Sequence, residues 1–303
     1  MGADRERRVI IAVDTAKRPL DPLRLGHELA RLLRAPLELL TVFPYLPVLG
    51  DPEATDMVQM REGAREDLLQ LGADLRDVAV ADAQVIASNT PARVLQEASE
   101  RPDAGLLVIG STTRGRLRRV LLGTVGGRLV EGGGCPLAIS PHGYGDAPSH
   151  DLRVVGAAYD GSDEARRALD AAQTLAARAG ARLRIITVYQ PVAFGAVPTS
   201  MLTPDVSVNR KLEDDARRVN DEAVAAHQGE LDVEGDFCSG NPWELLTEAS
   251  EDLDLLVTGS RGYGPVGAVL LGSTTRELLR TAACPLLVTP RQTRLDIGTH
   301  TTV

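Results

Sequence analysis

Short, wholly apolar runs alternate with longer amphipathic stretches along this chain, and the whole alternation happens twice. Residues 8–14 read RVIIAVD and residues 153–160 read RVVGAAYD, each an apolar run ending on aspartate. Behind them, Leu23, Leu25, Leu29 and Leu32 in one stretch, and Ala165, Ala168, Leu169, Ala172 and Leu175 in the other, fall at the spacing of a helix with one apolar face. Further apolar runs follow at PLELLTVF (36–43) and RLRIITVY (182–189), then at GLLVIG (105–110) and DLLVTG (254–259). Strands that are apolar on both faces and joined by helices predict parallel sheets covered on both sides. The fixed hand of the crossover connection narrows the topology to a doubly wound sheet. The expected fold class is α/β, as two tandem Rossmann-like doubly wound parallel sheets.

The duplication is visible residue by residue. Residues 110–137, GSTTRGRLRRVLLGTVGGRLVEGGGCPL, and residues 259–286, GSRGYGPVGAVLLGSTTRELLRTAACPL, align without gaps at an offset of 149, which matches Gly110 with Gly259, Gly115 with Gly264, Gly123 with Gly272 and Cys135 with Cys284. Between the copies, HGYGDAPSHD (142–151) has the Gly, Pro and small polar composition of a linker. The boundaries expected are a first domain over 1–143, a second over 151–292 and a solvated tail over 293–303. Residues 44–60 and 190–208, with several prolines and little periodicity, are expected as long loops.

Length and charge fit this picture. A chain of 303 residues is long for one core. The net charge is −9, with 18 basic against 20 acidic residues up to residue 150 and 15 against 22 beyond it. That acidity speaks against general nucleic-acid binding, which neutralises phosphates with a basic surface. No apolar run nears the roughly 20 residues of a membrane span, and MGADRERRVIIAVD does not read as a signal peptide, so a cytoplasmic protein is expected. Three cysteines without a CxxC pair or histidine cluster give neither a disulfide framework nor a zinc site. Cys135 and Cys284 are expected as small buried hydrophobes.

The candidate chemistry lies in the glycine-rich stretch of the second copy, Gly259-x-x-Gly262, then nine residues, then Gly272-Ser273. Gly259 closes an apolar strand where a sharp turn calls for backbone freedom. Gly262 and Gly264 keep the following loop bare, so backbone N–H groups can approach a phosphate. Gly272-Ser273 precedes TTRELLR, a helix whose first turn offers unpaired N–H donors at its positive dipole end, with Ser273 and Thr274 adding hydroxyls. In an open α/β sheet such a site lies at the carboxyl ends of the strands, beside Asp160.

This layout resembles the universal stress protein family, whose ATP-binding members share G-x2-G-x9-G-[ST]. The resemblance covers nearly the whole chain twice, including the Asp-Gly-Ser at 160–162, the Thr-Val strand ends and the closing CPL strands. It implies an adenine nucleotide alpha hydrolase-like fold, an adenine nucleotide (ATP, with Mg2+) as ligand and a stress-response regulatory role toward an unidentified protein partner. Carried over, Asp160 contacts the ribose or adenine side, and the backbone of Val188 binds the adenine edge. Gly240 lies on a loop near the ligand, and Gly259, Arg261, Gly262, Gly272, Ser273 and Thr274 surround the phosphates. The resemblance also implies that the two domains pair through their last strands as an intramolecular pseudo-dimer, with a further homodimer.

The first copy departs from the pattern. Asp14, Val42, Gly110, Gly123 and Thr124 match, but Thr113 replaces the second glycine and Thr-Ala follows Asp14. A β-branched residue narrows that loop, while Arg114, Arg116, Arg118 and Arg119 could bind phosphate by charge or simply form a solvated face. Other readings of the same residues stay open: Asp160 as a helix cap, the glycine stretch as a mere strand-to-helix connection in a nucleotide-free interaction scaffold, or a slow ATP hydrolase. P-loop phosphoryl transfer and a dinucleotide fingerprint are set aside. Lys17 and Lys211 lie far from the glycine stretches, and no G-x-G-x-x-G follows either opening strand.

Overall fold

The structure, a computed structural model, describes residues 6–14, 20–43, 54–73, 75, 78–111, 119–121, 124–146, 151–191, 206–229, 231–260, 271–291 and 293–297. The first copy runs β1 (Arg8–Ala12), α1 (Leu20–Leu33), β2 (Leu37–Phe43), α2 (Ala54–Ala73), β3 (Val80–Ala87), α3 (Pro91–Ser99), β4 (Ala104–Gly110), α4 (Thr124–Gly132) and β5 (Leu137–Ser140). The second repeats it as β6 (Val154–Ala158), α5 (Asp163–Ala179), β7 (Arg182–Tyr189), α6 (Val206–His227), β8 (Val233–Ser239), α7 (Pro242–Ala249), β9 (Leu255–Gly259), α8 (Ser273–Thr281) and β10 (Leu286–Thr289). Parts of the two stretches expected as loops are helical, since α2 takes in residues 54–60 and α6 begins at Val206.

Among the described residues the strands form one sheet in the order β3-β2-β1-β4-β5-β10-β9-β6-β7-β8. Within each copy all pairings are parallel, and the strand order reverses between the first and fourth strands. That reversal opens the crevice in which doubly wound proteins hold their ligands. The inner strands β1, β2, β4, β5, β6, β9 and β10 are buried on both faces, as their continuous apolar runs require, whereas the edge strands β3 and β8 are partly exposed. In β9, Leu255 and Val257 pack on the side of α1, α2, α5 and α6, while Leu256 packs with residues of α3, α4, α7 and α8.

The closing strands meet each other. β10 lies antiparallel to β5, with Leu286 opposite Ile139, Leu287 opposite Ala138 and Val288 opposite Leu137. Counterpart residues thus surround a pseudo-twofold point at Ala138 and Leu287, and what would be two exposed apolar edges become one continuous sheet. Because this pairing is antiparallel, the carboxyl edge of the first copy and that of the second face opposite ways.

Two arginines tie the copies further. Arg178 of α5 donates from Nη1 to the Leu33 carbonyl at the end of α1 (2.7 Å) and from Nη2 to the Ile297 carbonyl (3.2 Å). Arg119 of the first copy donates from Nη1 to the Thr281 carbonyl at the end of α8 (2.7 Å). The stretch after β10 is not a solvated tail over its described part. Ile297 is buried against Gly105, where an added Cβ would come within 2.4 Å of it, and Asp296 pairs with Arg7 at 3.8 Å. The physical reason is that Ile297 carries an apolar side chain past the end of β10 onto Gly105 in β4 of the first copy, with Leu295 packed against the same core.

Candidate functional site

The ends of strands β6, β7, β8 and β9 and the starts of helices α5 and α8 lie at the carboxyl edge of the second copy. Past β6, Asp160 is exposed, and its Oδ1 accepts from the Ser162 amide at 2.9 Å, closing a turn through Gly161 at φ 79°. Asp160 is therefore not the cap of the next helix. Ser162 is, its hydroxyl accepting from the Ala165 amide at 3.2 Å, and Asp163 and Glu164 in the first turn oppose the dipole of α5. The start of α5 is thus satisfied by its own residues.

The start of α8 is not. Its N-cap is Gly272, no side chain caps it, and no acidic residue stands in its first turn. It is held instead by its connection to the strand. The Gly272 amide donates to the Ser260 carbonyl at 2.9 Å, and the Ser260 amide donates to Thr289 at 3.0 Å. The buried Thr275 hydroxyl donates to the Gly259 carbonyl at 2.8 Å. Thr275 is the hydroxyl that sequence reasoning missed. Its signal was the apolar-face spacing with Leu278 and Leu279, which turns the third helical residue inward. Ser273 faces solvent and Thr274 is half-buried, beside the first-turn N–H groups.

Gly259 is required for a reason other than the one expected. The described glycines with left-handed φ are Gly143, Gly161, Gly180, Gly229 and Gly240, and Gly259 is not one of them. A Cβ at Gly259 would instead lie 3.0 Å from the Glu164 backbone, so the absence of a side chain lets the first turn of α5 close on β9. Gly240 follows β8 with φ 155°, and its amide donates to the Tyr189 carbonyl at 2.8 Å. Arg261 and Gly262 lie outside the described residues.

Val188 sits one step past the end of a ladder. The last bond from β6 side to β7 runs from the Tyr159 amide to the Ile186 carbonyl at 2.9 Å. Peptide groups two residues apart on a strand point the same way, so those of Val188 face the crevice side beyond that rung. Its side chain packs against the core, and across the other edge it registers with Cys238 of β8.

The first copy reproduces part of this. Val13 donates to the Leu40 carbonyl at 2.8 Å, which leaves Val42 in the place of Val188. Asp14 is exposed past β1, and Ser111 donates to the Ser140 carbonyl at 3.0 Å as Ser260 does to Thr289. A Cβ at Gly110 would lie 3.2 Å from the ring of Pro22 in α1. Gly126 stands where Thr275 stands in α8, so α4 carries no hydroxyl at that position. Thr124 begins α4, though its side chain, Gly123, Thr113, Arg114, Arg116 and Arg118 are outside the described residues. Arg119 is described, and it grips the second copy instead of forming a solvated face.

Cys135 and Cys284 are buried as expected, and burial pushes both thiols up to about 12. Among the described residues no three His, Cys, Asp or Glu side chains gather as a metal site, and no helix is long and apolar enough to cross a membrane.

Compared with known families, the chain matches the universal stress protein family over residues 6–141 and again over residues 152–290. The chain belongs to the universal stress protein family. A universal stress protein of Thermus aquaticus is 37% identical over 135 residues, covering 43% of this chain and 93% of that protein. One from Mycobacterium tuberculosis is 29% identical over 210 residues, covering 65% of this chain and 68% of its own. The solved structure of a universal stress protein from Archaeoglobus fulgidus shares the fold, with a TM-score of 0.64 over 93% of this chain and 98% of that one at 23% identity. The tandem arrangement of two universal stress protein units is thus shared by sequence and architecture.

Proposed function

We propose that this universal stress protein is a cytoplasmic regulatory protein of the stress response that binds ATP with Mg2+ at the carboxyl edge of its second copy. The observation that carries this reading is the contrast between two helix starts on one edge: α5 is capped by Ser162 and acidic residues, whereas α8 begins on glycine with no cap and no acidic neighbour in its turn. An uncapped helix start held rigidly to a strand end suits an oligophosphate. In this reading Gly259, Arg261, Gly262, Gly272, Ser273 and Thr274 line the phosphate path. Asp160 faces the ribose, Val188 offers its backbone to the adenine, and Gly240 lies close by. The triphosphate itself would bring the Mg2+. The first-copy set, Asp14, Val42, Gly110, Gly123 and Thr124, forms a second and weaker site on the opposite edge. Nucleotide acts on the surface offered to a protein partner, or on a homodimer, only through different affinities for two states.

Calorimetric titration with ATP-Mg tests the reading. Ser273→Glu places a carboxylate in the anion's position at the start of α8 and should weaken the tighter site at least tenfold, more than 1.4 kcal/mol. Thr124→Glu should leave that site alone. Equal affinity before and after Ser273→Glu would remove α8 from the function.

A further inference from the structure

The last carbonyls of a helix have no partners within it. In α8 they are met from the other copy. Arg119 Nη1 donates to Thr281 at 2.7 Å, and the Val120 amide donates to Ala282 at 2.8 Å. Arg119 Nη2 meanwhile reaches Glu251 at 2.6 Å, in the turn Ser250–Asp252 that follows α7. One guanidinium thus fastens the end of α8 to the element beside it, with its two prongs on different acceptors. Arg119 stands five residues before Thr124, in the connection between β4 and α4 of the first copy.

The other end of α8 is the candidate phosphate cradle. Nine residues of helix span about 13 Å as one hydrogen-bonded rod. Its start is fixed by Gly272 on Ser260 and by Thr275 on Gly259, its finish by residues of the first copy. Position at one end therefore sets the aim of the N–H groups at the other. The matched positions do not carry the same pair. At the offset of 149 Arg119 is matched by Ala268 and Glu251 by Pro102. Among the described residues the end of α4 is approached from its own copy, by Gln96 Nε2 on the Gly132 carbonyl at 3.5 Å.

We propose that Arg119, carried by the first copy, is a positioning residue for the nucleotide site of the second. The proposal rests on the nucleotide reading above and adds to it a direction: the first copy tunes the second through α8. Coupling of this kind is worth factors of roughly 5 to 150 in affinity.

The test is ATP-Mg titration of the full chain by calorimetry, with melting followed in parallel. Arg119→Ala should weaken the tighter site about tenfold, within the range usual for coupled sites. Arg119→Lys should recover part of the loss, since it restores charge beside Glu251 but cannot span both acceptors. Glu251→Gln, a milder change that keeps the bond to Thr281, should weaken binding by less than Arg119→Ala. In a Ser273→Glu background Arg119→Ala should change nothing further. Unaltered ATP-Mg affinity in Arg119→Ala, even with a lowered melting temperature, overturns the coupling and leaves the nucleotide reading standing. A full effect that persists beside Ser273→Glu also overturns it, by assigning the arginine to the first copy's own edge. A wild-type chain that takes up no ATP-Mg removes the nucleotide reading and this proposal with it.

Discussion

Helices α4 and α8 hold equivalent places in the two copies, nine residues each and 149 residues apart, yet they are fastened differently at both ends. At its start α8 is pinned to β9 by the Thr275 hydroxyl, whereas Gly126 gives α4 no such group. At its finish α8 is gripped across the copies by Arg119, whereas α4 has Gln96 of its own copy at 3.5 Å. Glycines also fill the middle of α4, as TVGGRLVEG, where α8 reads STTRELLRT. Duplication has kept the scaffold and let the helix at the candidate ligand edge diverge. The copy with the full glycine-and-serine pattern is also the one whose helix, among the described residues, is tied by side chains at both ends. Preorganised donors bind an anion without first losing conformational freedom, which gives a physical ground for ranking the second edge above the first.

The sharpest test of that contrast lies at the strand ends. A Cβ at Gly259 meets the backbone of Glu164 at 3.0 Å, and a helix backbone cannot step aside. At Gly110 the nearest atom is the edge of the Pro22 ring at 3.2 Å. Gly259→Ala should cost about 2–3 kcal/mol and Gly110→Ala about 1 kcal/mol, both within the range for overpacking. Thermal melting of the two variants compares them directly. Equal losses would mean that the two helix starts approach their strands alike.

Much of the scaffold was legible because its signals are local or repeated. Apolar runs such as LLVTG and the helical spacing from Ala165 to Leu175 mark buried strands and amphipathic helices on their own, and the gapless repeat marks the second copy. What stayed hidden depends on approach between distant segments. Nothing near Gly259 says that α5 will close on it, so turn geometry was the reason that suggested itself. Arg119 reads as one of a basic cluster until the antiparallel β5–β10 pairing brings the end of α8 beside it. Ile297 reads as tail until that same pairing sets the amino edge of the first copy within its reach. Thr275 was the near miss, visible in the helical spacing but overshadowed by the exposed Ser273 and Thr274.

A second, smaller contrast concerns how the first helix of each copy ends. Both close with the same pair of bonds: Ala35 to Ala30 and Arg34 to Arg31 in one, Ala181 to Ala176 and Gly180 to Ala177 in the other. The residue in the left-handed region is Arg34 at φ 51° in the first copy and Gly180 at φ 64° in the second. A side chain in that conformation costs roughly 1–2 kcal/mol. Gly180→Ala should therefore lower stability by about 1–2 kcal/mol, since the space is open and only backbone strain opposes it. Arg34→Gly should raise stability by up to about 1 kcal/mol, the lost strain partly offset by the entropy of a freer unfolded chain. Opposite signs in denaturant titrations support a shared motif filled unequally. The same sign for both would contradict it.

The smallest expected effect bears on α4, the helix with glycines in its interior. Gly127 lies in the interior of α4 with no left-handed φ, and a Cβ added there meets nothing within 4 Å. Its counterpart in α8 is the exposed Arg276, so a side chain is compatible with this position of the helix. Glycine in a helix interior is worse than alanine by about 0.5–1 kcal/mol, because the unfolded chain has more freedom to lose. Gly127→Ala should therefore raise the melting temperature by a gain of that size, with no change in ATP-Mg affinity at the site proposed for the second copy. A gain confirms that α4 gives up stability through its glycines where α8 does not. A loss of stability would mean that another segment of the chain packs over Gly127, making α4 the tighter-packed helix of the two and reversing the contrast drawn between the copies.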